Sequence, residues 1–97
     1  MKYFLYKLIP PRPTFAFDMT NEEKQIMQTH SEYWSRLCDE RTAVLFGPVL
    51  EPNSVWGLGI LEVEDENAAH AIAMSDPAVT SGVNTFELHP VLIGKIR

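Results

Sequence analysis

Apolar and polar positions follow two rhythms along this chain. From Lys2 to Ile9 the period is two: Tyr3, Leu5 and Ile9 fall on one face and Phe4, Tyr6 and Leu8 on the other, predicting a strand apolar on both sides. From Thr20 to Arg41 the period lengthens. Ile26, Met27, His30, Tyr33, Trp34, Leu37, Cys38 and Arg41 recur at steps of three and four, one face of a long amphipathic helix. Thr20 followed by Glu23 is a capping-box signature, and Glu22 and Glu23 suit the positive end of the helix dipole. Between these elements, Pro10 to Asp18 reads as a proline-rich loop carrying Phe15 and Phe17. Exposed aromatics are costly, so this loop is expected to fold back over something.

The second half repeats the alternation. Ala43 to Leu50 predicts a second strand, interrupted by Gly47-Pro48, where the missing N–H marks an edge, bulge or strand end. Glu51-Pro52-Asn53-Ser54 is a hairpin connection to a third strand, Val55 to Glu64. There Trp56, Leu58 and Ile60 share one face and Val55, Leu61 and Val63 the other, with Gly57 and Gly59 beside the latter, allowing close approach. Asp65 caps a second helix to about Met74 or Ser75, whose face of Ala68, Ala69, Ile72 and Ala73 packs closely on a sheet. Proline at position 77 stops it. Asp76 can cap a short new turn ending at Gly82, and Val83 to about Ile93 forms the last strand.

The order βαββαβ predicts an α+β, ferredoxin-like sandwich: a four-stranded antiparallel sheet with both helices on one face. Because the first and third strands are apolar on both sides, the bare sheet face is expected to be covered by a second copy of the chain, giving a homodimer.

Composition narrows the function classes. The 97 residues are expected to form one domain, 1–97. Thirteen acidic against 8 basic residues give a net charge of −5, and the cations are scattered, which disfavours nucleic acid. No apolar run approaches the ~20 residues of a membrane span, and the apolar N-terminus lacks a small-residue cleavage site, so neither a membrane segment nor a signal peptide is expected. A single cysteine, Cys38, points to a reducing compartment, the cytoplasm.

The chemistry-bearing residues are few. His30 places an ionisable ring inside the apolar stripe, where it is either satisfied by a partner (a carbonyl or Tyr33) or used. Asp76 sits at the break after the second helix, where it either only caps or also meets His30. A carboxylate bonded to one imidazole nitrogen makes the other a better base. His70 and His89 are expected to face water, with Thr85 and Glu87 alternating beside His89. Cys38 is expected to be a buried, inert thiol. No HxxxH, HxH or CxxC spacing exists, so no metal is expected, and Gly57 and Gly59 lack the following helix of a dinucleotide site, so no cofactor is expected.

Tyr3-Phe4-Leu5-Tyr6, His30 within Gln28-Thr29-His30-Ser31-Glu32-Tyr33, Gly47-Pro48, and Asp76-Pro77 with Gly82-Val83 together resemble the YCII-related (YciI-like) family over almost the whole chain. The resemblance implies a dimeric α+β barrel and a histidine–aspartate acid/base pair, by position His30 and Asp76. Around it Tyr6, Phe15, Trp34, Gly47 and Pro48 are expected to line a pocket. It further implies cofactor-free chemistry of lyase, isomerase or dehalogenase type on a small organic or lactone-like molecule; one branch is associated with dehalogenating a chlorinated muconolactone. The chain departs from the family at Ala78, where many members carry an aromatic residue, and in its first loop. The alternative is a non-catalytic dimer that binds a small ligand or another protein.

Overall fold

The first strand, β1 (Lys2–Ile9), lies inside the sheet and pairs antiparallel with two neighbours. The computed structural model describes residues 1–97. Along the chain β1 is followed by α1 (Phe15–Asp18), α2 (Asn21–Asp39), β2 (Ala43–Leu50), β3 (Val55–Val63), α3 (Glu66–Met74), α4 (Pro77–Thr80) and β4 (Thr85–Val91). The four strands form one antiparallel sheet in the order β2-β3-β1-β4, the ferredoxin-like arrangement.

Alternation along β1 decides which residues face the helices. Phe4, Tyr6 and Leu8 are buried and join Leu61 and Val63 of β3. Trp34 and Leu37 of α2 and Ala69 and Ala73 of α3 close this core from above. The opposite face carries Leu5, Ile60 and Leu45 in one cross-strand row, with Trp56 and Val49 in another. None of these is buried, and Leu45 on the edge strand is 45% exposed.

Local signals set the helix ends. Thr20 Oγ1 accepts from the Glu23 N–H at 3.1 Å while Glu23 Oε1 accepts from the Thr20 N–H at 2.9 Å, the reciprocal capping box. The helix ends at Asp39, two residues before the expected Arg41. There Thr42 N–H bonds to Leu37 O and Arg41 N–H to Cys38 O, a Schellman closure that holds Arg41 at φ 65°. Asp65 accepts from the Ala68 N–H at 2.9 Å to start α3.

Three further segments differ from the sequence reading. The segment read wholly as a loop contains a helical turn, α1, formed as Phe17 and Asp18 N–H groups bond back to Thr14 O. Phe15 packs inward, but Phe17 is 84% exposed. The last strand begins at Thr85 rather than Val83, because the Asn84 N–H is tied to Ala78 O at 2.9 Å, and it ends at Val91. The third strand stops one residue early, at Val63, freeing Glu64 and Asp65 for the helix entry.

Candidate functional site

The break between α3 and α4 places a carboxylate under the middle of α2. Pro77 at the first position of α4 ends the preceding backbone ladder, and Asp76 caps the new turn by accepting from the Ala78 N–H at 2.8 Å. The same side chain meets His30, whose Nδ1 lies 2.9 Å from both Asp76 oxygens. Asp76 therefore both caps and pairs. Tyr33, the other partner considered for His30, instead donates its hydroxyl to Ile72 O at 2.8 Å.

Two further donors converge on Asp76 Oδ2: the Tyr6 hydroxyl at 2.7 Å and the Trp34 indole N–H at 2.8 Å. Asp76 is completely buried, so an isolated carboxylate there would be costly. Burial pushes its carboxyl up, but the hydrogen bond and charge of His30, with the Trp34 and Tyr6 donors, outweigh burial and hold it below the usual range. Burial first, then the Asp76 charge and hydrogen bond, push the Tyr6 phenol up, so Tyr6 stays a neutral donor. An ionised carboxylate only accepts, so His30 Nδ1 carries a proton. That leaves Nε2, which has no partner in the chain and is not sealed from solvent, as the working nitrogen.

His30 stands on the wall of a cavity of about 360 Å³ between α2, the α1 segment and the sheet. Tyr6, Phe15, Trp34, Gly47 and Pro48 all line it, and Asp76 lies behind His30 rather than on the wall. The roles of Tyr6 and Trp34 as donors to Asp76 escaped the sequence reading. The signals were present: Tyr6 shares its strand face with Phe4 and Leu8, and Trp34 follows His30 by one helical turn. Also unanticipated were Met27, Phe46 and Asn84 in the lining.

The α1 segment roofs this cavity and is fastened by Arg12. Its guanidinium donates from Nε to Asp18 Oδ1 at 2.8 Å and through both Nη atoms to Glu23 at 3.0 and 2.8 Å. The Arg12 bond, then the Thr20 N–H, hold the Glu23 carboxyl down to about 2.

The remaining candidates lie elsewhere. His70 is exposed with its ring centroid 6.0 Å from that of Phe86, and exposed His89 meets Glu87 at 3.0 Å. Burial pushes the Cys38 thiol up, away from the reactive thiolate, though Cys38 is only half-buried. No three His, Cys, Asp or Glu side chains converge on a point that could hold a metal ion. No helix is long and apolar enough to cross a membrane.

A ferredoxin-like sheet with a ligand-sized cavity under its helices is the class of protein that the fold and site define. The YCII-related domain family matches residues 1–92, and the chain belongs to that family. Among solved structures it is similar to 5-chloro-2-hydroxyhydroquinone dehydrochlorinase (TftG) from Burkholderia phenoliruptrix AC1100 in complex with 2,5-dihydroxybenzoquinone. The TM-score is 0.70 at 18% identity, over 97% of this chain and 96% of that one, so the likeness is one of fold. No curated protein matches the chain.

Proposed function

We propose that this chain is a cofactor-independent enzyme of lyase, isomerase or dehalogenase type that moves a proton on a small organic or lactone-like molecule. The observation that carries the reading is His30 Nδ1 at 2.9 Å from both Asp76 oxygens, on a ring that lines a largely apolar cavity. His30 Nε2 takes the proton, and Asp76 fixes the tautomer and stabilises the imidazolium that forms. In the dehalogenase form on a saturated C–Cl carbon, Nε2 removes the neighbouring C–H proton, that electron pair becomes the new double bond, and chloride departs with the C–Cl pair. A chlorinated hydroquinone first shifts one hydroxyl proton to its C–Cl carbon. Nε2 then takes a second hydroxyl proton, the O–H pair becomes a carbonyl, the ring double bond moves to the C–Cl carbon and chloride departs with the C–Cl pair. The imidazolium then returns its proton to solvent. A dehydrochlorinase of the same fold supports this form. The test is turnover of chlorinated hydroquinones and small lactones by wild type and His30→Ala; equal rates remove the proposal.

The whole chain, 1–97, acts in this reading as one domain, in the cytoplasm. Two copies pair through the open sheet face into a dimeric α+β barrel, supported by the row Leu5, Ile60 and Leu45 and by exposed Leu45 and Val44 on the edge strand. A sedimentation run returning only monomer at micromolar concentration removes that part.

One observation favours a second reading. Asp76 receives four donors, from Tyr6, His30, Trp34 and Ala78, and so ties β1, α2 and α4 together. On that reading the chain is a non-catalytic container for a small ligand, and His30→Ala lowers stability by roughly 1–3 kcal/mol while ligand affinity holds.

A further inference from the structure

The proton-transfer reading leaves open what the cavity admits. Its walls answer by charge, by hydrogen-bonding capacity and by shape. No lysine, arginine, aspartate or glutamate lines it. A carboxylate or phosphate entering would lose its water without gaining a cation, a cost of several kcal/mol for an unpaired ion. The two titratable wall residues, His30 and Tyr6, both already meet the Asp76 carboxylate, which lies behind the His30 ring. A second anion on the open side of the ring would meet that field.

The polar side chains on the wall not already spent as donors within the chain are His30, Ser31 and Asn84; the Tyr6 hydroxyl and Trp34 indole donate to Asp76, and the Trp56 indole to Glu51. With Nδ1 donating to Asp76, neutral His30 offers an acceptor at Nε2. Asn84 is buried and spends its amide nitrogen on Ala78 O and Met27 Sδ, each at 3.4 Å, which leaves its amide oxygen as the group it can present. Ser31 can accept or donate. The set therefore suits a ligand that brings hydroxyl donors, and a carboxylate brings none.

The apolar wall is built from rings. Tyr6 and Trp34 lie with centroids 4.9 Å apart, and Trp34 and Phe46 with centroids 6.4 Å apart, while Phe15 closes the roof. Offset and tilted faces of this kind favour another flat ring over a puckered one. At about 360 Å³ the space is near the small end of ligand sites, about 300–1,000 Å³.

We infer that this cavity takes an uncharged, flat aromatic ring bearing hydroxyl groups and turns away carboxylates and phosphates. This names the substrate class for the reading above, and rests on that reading for the choice of this cavity as the site.

The experiment is equilibrium binding to the wild-type chain at pH 7.5, followed by indole fluorescence and calorimetry, with three matched probes. These are 4-hydroxybenzyl alcohol, its anionic counterpart 4-hydroxybenzoate, and the saturated 4-(hydroxymethyl)cyclohexanol. The neutral aromatic alcohol is expected to bind at least tenfold more tightly than the benzoate, and more tightly than the saturated ring. Equal or tighter binding of the benzoate overturns the inference, as does equal binding of the saturated ring or no measurable binding of any probe. Because binding needs no turnover, a chain that prefers the aromatic alcohol yet shows no His30-dependent reaction upholds this inference and retires the catalytic one.

Discussion

Trp34 reaches Asp76 across the bare backbone of Gly59. A Cβ added at Gly59 would stand 2.5 Å from the Trp34 ring, closer than atoms can sit, so the indole lies where a side chain would otherwise be. From there its N–H donates to Asp76 Oδ2 at 2.8 Å. A strand glycine thus sets the position of the carboxylate's partner. Gly59→Ala is expected to push the ring aside, costing about 1–3 kcal/mol by overpacking, and to weaken the Asp76 bond as well. Urea unfolding gives the first effect, and loss of the buried-indole fluorescence gives the second. A variant as stable as wild type with unchanged emission would show that the indole has room to spare.

Tyr6 supplies a second donor to the same oxygen, from a position 1% exposed. Tyr6→Phe removes the hydroxyl while keeping the ring, and is expected to cost about 1.5–3 kcal/mol at pH 7, the range for a bond to a charged group. The loss should depend on pH with a definite sign. Asp76 is held below its ordinary value of 3.8, so its contribution is fully present above about pH 4 and disappears as pH falls through the lowered folded-state value. Unfolding curves at pH 7 and pH 3 should show the gap between wild type and Tyr6→Phe narrowing in acid. A gap that stays constant would mean the hydroxyl does not act through the ionised carboxylate.

Arg12 is the fastener of the cavity roof. It joins Asp18 at one end of α1 to Glu23 in the first turn of α2, and its guanidinium lies 5.3 Å from the Phe15 ring. Arg12→Ala should leave the sheet intact but release the segment from Pro10 to Met19. Hydrogen exchange of the Phe17 and Asp18 amides, which bond to Thr14 O, is expected to quicken at least tenfold while exchange in β1 stays unchanged. Asp18 and Glu23 are both held below their ordinary values, so wild type should show the same loosening only as pH falls well below 4.

How far the sequence foretold this arrangement differs from element to element, for physical reasons. The long helix announced itself through a capping box and a sustained apolar stripe, both local to it. Asp76-Pro77 was equally plain, because a proline at the first helical position and a capping carboxylate form a local motif. The turn α1 carried no such signal. It rests on Arg12 reaching Asp18 and Glu23, and no periodicity in Pro10–Asp18 encodes that. Phe17 was expected to fold inward with Phe15; it touches the cavity beside Phe15, yet the single turn leaves it 84% exposed. At the far end, Val83 and Asn84 continue the alternation of β4, yet Asn84 is drawn to the Ala78 carbonyl instead. The meeting of His30 with Asp76 was legible as a possibility, since the topology sets the two helices side by side. That Tyr6 and Trp34 would share the carboxylate depended on Gly59, whose meaning emerges only once the indole is seen lying on it. Ala78, the point of departure in the sequence reading, is fully buried against the core.

The central claim is that the free nitrogen of His30 moves the proton. Its most direct test is chloride release from 5-chloro-2-hydroxyhydroquinone by wild type and His30→Ala, with and without added imidazole. Removal of a general base is expected to slow release by about 10²–10⁴-fold, with imidazole restoring part of the rate to the variant alone. Rates within twofold of each other, or a slow variant that imidazole does not help, would contradict the account.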